Sequence, residues 1–161
     1  MTLPLPELFH GSDRLHDIGT TLKGRGQVYE DVWQGADFYA ALEAHRPADV
    51  LAHRDAVFMC GWDDLDLCGG SLDVVLKVKP IGAVTRHDMN WSSEISCLIG
   101  DGFDITSPEV TAAAEKYWHG IPGGDPVWEY IAPQMCVLEV CENNLEAENK
   151  NTEVIDDTPE P

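Results

Sequence analysis

The chain has 161 residues, a length that suits one domain, and 43% of them are hydrophobic, enough for a sizeable core without disulfide staples. Its 29 acidic and 10 basic residues leave a net charge of −19, a surface that repels phosphate backbones and anionic lipid heads and so disfavours nucleic acid or a membrane as a partner. No stretch is apolar enough to span a bilayer and Leu3-Pro4-Leu5-Pro6 does not make a signal-peptide core, so a soluble, cytoplasmic protein is expected.

In chain order, residues 7–12 read as a short strand running into a glycine turn. Residues 14–35 carry Gly19, Gly24, Gly26 and Gly35 and are expected to form a long irregular loop. Phe38, Ala41, Leu42 and His45 recur at helical spacing, which predicts a helix over about 36–46, ended by Pro47. Residues 56–60 are a buried-strand candidate, followed by a short acidic turn from Trp62 to Leu67. From 72 to 79 the pattern alternates, with Val74, Leu76 and Val78 on one face and Asp73, Lys77 and Lys79 on the other, the clearest strand in the chain. Ser107-Pro108-Glu109 is a helix start: a capping hydroxyl, a proline suited to the first turn and a carboxylate at the positive dipole end. That helix runs to Trp118 and Gly120 ends it. A Gly/Pro turn over 122–126 precedes strand candidates at 127–132 and 135–140, split at Pro133.

This predicts an α+β fold with a mostly antiparallel, two-sheet β core and flanking helices, over residues 1–141. Residues 142–161 carry seven acidic residues and one lysine and are expected to be a disordered acidic tail. The five cysteines form no CxxC pair and read as free, mostly buried thiols of a reducing compartment; no metal site is expected. No nucleophile-elbow, P-loop or dinucleotide-binding glycine fingerprint occurs.

Two short segments carry candidate chemistry. In Phe9-His10-Gly11-Ser12 an imidazole leaves a strand beside a glycine whose bare backbone a flat ligand can approach, with a hydroxyl next to it. In Trp128-Glu129-Tyr130-Ile131 a carboxylate sits in a late strand among aromatic and apolar neighbours, where it would stabilise a cationic transition state. Each segment alone also reads as an ordinary strand end or a solvated strand glutamate.

Together they resemble the ADP-ribosyltransferase superfamily, in the branch with a histidine in its first motif, as in poly(ADP-ribose) polymerases. Leu8 to Ser12 resembles that family's first strand, Val57 to Cys60 its middle strand, Val74 to Pro80 the next core strand, and Trp128 to Ile131 its late glutamate strand. The resemblance implies an ADP-ribosyltransferase-like fold that binds NAD and breaks its nicotinamide–ribose bond. It implies that His10 contacts the adenosine-side ribose, Gly11 the nicotinamide amide and Ser12 a ribose hydroxyl. Phe58 stands where the family usually has a stacking tyrosine, and Tyr29 is a substitute for it. Arg25 is either a pyrophosphate contact or a solvated loop arginine. Glu129 would hold the nicotinamide-side ribose and stabilise charge as the glycosidic bond breaks. Glu94, in Trp91-Ser92-Ser93-Glu94, competes for that place; Glu129 is preferred because it follows a Gly/Pro turn, where the family's acceptor loop precedes the glutamate. His87, Asp88 and Asn90 would lie near the acceptor side or simply in a polar loop, the loop being preferred, and His16, His45, His53 and His119 read as scattered surface or capped groups.

The expected partner is a protein acceptor, for instance a host or defence protein modified by a phage or bacterial effector. The competing reading is a non-enzymatic acidic inhibitor that covers a basic surface. A phosphotransferase acting on RNA needs basic groups that this chain lacks.

Overall fold

The computed structural model describes residues 4–68 and 70–145. Seven strands run through them: β1 (Leu8–Ser12), β2 (Thr21–Lys23), β3 (Val57–Cys60), β4 (Val74–Ile81), β5 (Thr85–Asp88), β6 (Trp128–Ala132) and β7 (Gln134–Asn143). Four helices accompany them: α1 (Gln27–Trp33), α2 (Asp37–Ala44), α3 (Asn90–Gly100) and α4 (Pro108–Trp118). All neighbouring strands are antiparallel, in the order β2-β7-β4-β1-β3-β6-β5, so the fold is α+β. No helix among the described residues is long and apolar enough to cross a membrane.

The strands are joined in one ladder rather than drawn as two separate sheets, but the joint between β1 and β3 is a single residue pair, Phe9 opposite Cys60. On either side of it the ladders are longer: five pairs between β1 and β4, four between β3 and β6. The β4–β7 ladder shifts register twice, and such bulges bend and twist a strand. Met59 and Tyr130 consequently share one core with Leu8, Leu76, Val78 and Val137 of the other half. Each fully buried Val, Leu or Met there contributes about 1.5–3 kcal/mol.

The opposite face of β3 and β6 lies beneath the helices. Their core joins Ala41 and Leu42 of α2, Ile95 of α3 and Val110, Ala114 and Trp118 of α4. Helix α4 starts as its sequence predicts: Ser107 Oγ accepts from the Val110 N–H at 3.4 Å, with Pro108 in the first turn. It ends at Gly120, whose φ of 64° lies in the left-handed region open to glycine.

Six elements depart from the sequence reading. The expected loop over 14–35 holds β2 and α1, and the expected polar loop around His87 and Asp88 is strand β5. Helix α3 has the helical spacing Trp91, Ile95, Leu98, Ile99, with Ile95 fully buried. Strand β4 buries Val75 as well as Val74 and Leu76, because Phe9 and Leu65 cover its second face. Strand β7 also runs to Asn143, beyond the expected start of the tail, and Asn144 bonds back to the Asp73 and Leu72 carbonyls. The rest of the expected tail, 146–161, lies outside the described residues. All five cysteines are free, with Cys60 buried, Cys97 exposed and the others half-buried, so they are less buried than expected.

Candidate functional site

The site starts where β1 and β3 part. Past the Phe9–Cys60 pair the next residues of the two strands form no ladder; instead the His10 Nδ1–H donates to the Phe58 carbonyl at 2.8 Å. An imidazole thus stands in for the missing backbone pairing, its tautomer is set by the carbonyl it faces, and Nε2 is left as an acceptor. Burial pushes the His10 pKa down, the Phe58 carbonyl opposes this, and the nearby His16 and Arg25 add to it, so the ring is neutral at pH 7. Gly11 is a glycine by necessity, since a Cβ there would collide with the Ser71 carbonyl. Ser12 is buried, and its hydroxyl is already used within its own loop, by the Arg14 N–H and by His16 Nε2, both at 3.2 Å. Arg25 is exposed beside His10 and makes no ion pair among the described residues, which leaves a free cation at this opening of a strongly acidic chain.

Glu129 lies one strand further across. Ladder register aligns Phe9, Cys60, Glu129 and His87 in one row over β1, β3, β6 and β5, all on the helix-covered face. His10 follows Phe9 and pairs with Leu76, so its side chain leaves on the other face. Phe58 links the two: its carbonyl holds His10, and its ring lies flat against Tyr29 at 5.5 Å between centroids and 14° between planes. Glu129 in turn is close enough to Tyr29 for its charge, after burial, to raise the Tyr29 pKa.

Glu129 is 8% exposed. Burial pushes its pKa up to about 7, against the Tyr117 hydroxyl beside it, which favours the ionised form. Tyr117, in α4, is 1% exposed, stacks on His87 at 4.7 Å and has a 2.8 Å hydrogen bond from its hydroxyl to His53 Nε2. His53 is buried among Tyr29, Tyr39, Phe58 and Trp118; burial first, then His87 and Arg46, pushes its pKa down to about 3. It is a buried, neutral group and not the surface histidine expected from its isolation in sequence. His87 is also buried and neutral, its Nδ1–H donating to the Tyr117 carbonyl at 2.8 Å and Nε2 facing Thr85 Oγ1 at 2.9 Å.

Of the candidates read from sequence, Tyr29, Phe58 and Glu129 lie on the helix-covered face, while the side chain of His10, bonded to the Phe58 carbonyl and with Arg25 nearby, leaves on the other, and Gly11 and Ser12 follow it in β1. Glu94 lies exposed on α3. Asp88 has a different task, accepting from Asn90 N (3.0 Å), Val127 N (3.0 Å) and Gly123 N (2.6 Å) and so pinning the turn that leads into β6. Two hollows, of about 200 and 220 Å³, are lined by other residues: Trp62, Leu65, Asp66, Leu72, Val75 and Glu142 in one, and residues around Pro6, Arg86 and Tyr130 in the other. Among the described residues no three His, Cys, Asp or Glu side chains gather as metal ligands would. No protein-family model matches the chain, and no curated protein matches its sequence.

Tyr117 and His53 were not legible as site residues, since each lies far from Glu129 in sequence. One signal was available for Tyr117: it falls on the apolar face of α4, with Val110, Ala113 and Ala114, although it carries a hydroxyl that needs a partner when buried.

Proposed function

We propose that the chain is an ADP-ribosyltransferase-like enzyme that cleaves the nicotinamide–ribose bond of NAD and passes ADP-ribose to a protein acceptor. The observation that carries this reading is the parted β1–β3 joint, where a neutral imidazole bonds the Phe58 carbonyl and, on the face that the Phe58 ring occupies, a buried carboxylate of raised pKa lies one strand away. The thin joint between the two strand groups also supports the two-sheet description.

In this reading the nicotinamide ring takes the face of Phe58 that Tyr29 now covers, so Tyr29 and α1 give way on binding. None of α1's residues is buried, which makes such a movement cheap. The His10 Nε2, held as an acceptor, takes a ribose O–H, and Arg25 meets the pyrophosphate. When the C–N bond breaks, its electron pair leaves with nicotinamide and positive charge spreads over the ribose ring. An ionised Glu129 stabilises that charge in a site shielded from water. Five free cysteines fit a reducing, cytoplasmic setting.

The test is release of free nicotinamide from NAD, measured by chromatography. The wild-type rate is expected to rise with pH through about 7 as Glu129 ionises. Glu129→Gln is expected to lose ~10²–10³ of it above pH 7 and to lose the rise with pH, so that the two chains converge as pH falls well below 7. A wild type that releases no nicotinamide at any pH, with or without protein acceptors, overturns the reading.

A further inference from the structure

The Tyr117 hydroxyl has one proton and two polar neighbours, His53 at 2.8 Å and Glu129, whose strand partner His87 stacks on the Tyr117 ring, and all of these side chains are buried. Its short hydrogen bond is to His53, and its contact with Glu129 is the looser of the two. Two proton arrangements satisfy this chain. With Glu129 ionised, His53 Nε2–H donates to the Tyr117 oxygen and the Tyr117 O–H donates to the carboxylate. With Glu129 protonated, its O–H donates to the Tyr117 oxygen and the Tyr117 O–H donates to His53 Nε2, which requires the other His53 tautomer. Both hydrogen bonds reverse when the Glu129 proton passes to the Tyr117 oxygen, the Tyr117 proton passes to His53 Nε2 and the His53 Nδ1 proton leaves to solvent, one proton being lost in all.

The other groups facing Glu129 do not supply a competing charge. They are Cys60 from β3, neutral His87 from β5, Tyr29 from α1 and Cys68 from the loop after Trp62–Asp64. The Cys68 thiol is itself held up in pKa, first by its hydrogen bond with Cys60, so it stays protonated. Glu43 lies near Tyr117 and Tyr29 and adds to the rise of both their pKa values, after the larger contributions of burial, Glu129 and a neighbouring tyrosine.

We propose that Tyr117 is a positioning residue that sets the charge and direction of Glu129, with His53 behind it fixing which way the Tyr117 proton points. This rests on the reading of Glu129 as the carboxylate of NAD cleavage, but it can be measured apart from it.

The experiment follows the Glu129 carboxyl by infrared difference titration, wild type against Glu129→Gln, and then in Tyr117→Phe and His53→Leu. In Tyr117→Phe the midpoint is expected to move up by one pH unit or more, since a hydrogen bond to a charged group is lost. His53→Leu, which keeps the hydroxyl but not its anchor, is expected to move it less and in the same direction. In NAD cleavage, Tyr117→Phe is expected to lower kcat about tenfold at pH 7, leave KM for NAD within about twofold, and recover toward the wild-type rate at pH 9. A residue that only packed the core would move neither the midpoint nor the pH profile. An unmoved midpoint in folded Tyr117→Phe overturns the proposal; if that variant does not fold, an unmoved midpoint in His53→Leu does. A shifted midpoint in a chain that never cleaves NAD would sink the enzyme reading and leave the positioning intact.

Discussion

Asp88 and Glu129 are both buried carboxylates, on paired strands, and their surroundings are built to opposite ends. Around Asp88 the backbone closes in: three N–H groups, from Asn90, Gly123 and Val127, fill its two oxygens. The turn ahead of β6 is tied down further by Asn90 Nδ2 on the Asp125 carbonyl and Trp91 Nε1 on the Ile121 carbonyl. Around Glu129 there are aromatic rings, two thiols, two neutral imidazoles and one hydroxyl already bonded elsewhere. A carboxylate saturated with backbone donors holds structure. One left with acceptor capacity, at a cost in folding energy, is available to a ligand or to a developing positive charge.

That contrast can be broken in three ways. The largest effect is expected at Asp88. Asp88→Asn loses the charge and turns an amide N–H₂ toward a backbone N–H, so urea denaturation is expected to show a loss of about 3 kcal/mol or more. A loss under 1 kcal/mol would mean that the turn before β6 does not depend on it.

At Glu129 the expected sign is reversed. Its pKa rises from an ordinary 4.5 to about 7 on folding, so between those values the folded chain holds a proton that the unfolded chain has released. Stability contributed by this group is therefore full below pH 4.5 and declines as pH rises to about 7, by on the order of 3 kcal/mol. Glu129→Gln is thus expected to be more stable than wild type at pH 8 by about that amount, and no more stable at pH 4. His53 runs the other way, since its lowered pKa removes stability as pH falls from 6.5 toward about 3, so the Glu129 effect is read as the difference between the two chains at each pH. Equal stability at pH 8 would show a carboxylate as well served as Asp88. The smallest effect is expected at Glu94, exposed on α3: Glu94→Gln should stay within about 0.5 kcal/mol of wild type and leave nicotinamide release unchanged.

Elements governed by local pattern were legible in the sequence. Strand β4 and the Ser107-Pro108 start and Gly120 end of α4 stand in the structure where the residues put them. Helix α1 and strand β2 were masked by the four glycines among residues 14–35, although Val28, Tyr29, Val32 and Trp33 recur in α1 at helical spacing. Strand β5 alternates against α4 and β6, with His87 and Asp88 as its two buried residues, and polar letters at buried positions look like a loop until their partners are known. At the site, His10, Phe58 and Glu129 could be picked out because each sits in a short strand motif. The hydroxyl and imidazole behind Glu129 could not, because what matters in Tyr117 and His53 is a contact across 64 positions of chain.

The most direct measurement is a crystal structure of the Glu129→Gln chain with NAD bound. The account predicts the nicotinamide ring on Phe58 with Tyr29 displaced, the amide on the Gly11 edge, and residue 129 within hydrogen-bond distance of the nicotinamide-side ribose. NAD seated instead in the hollow between Trp62 and Leu72, or nowhere at all, with Tyr29 still flat on Phe58, would contradict it.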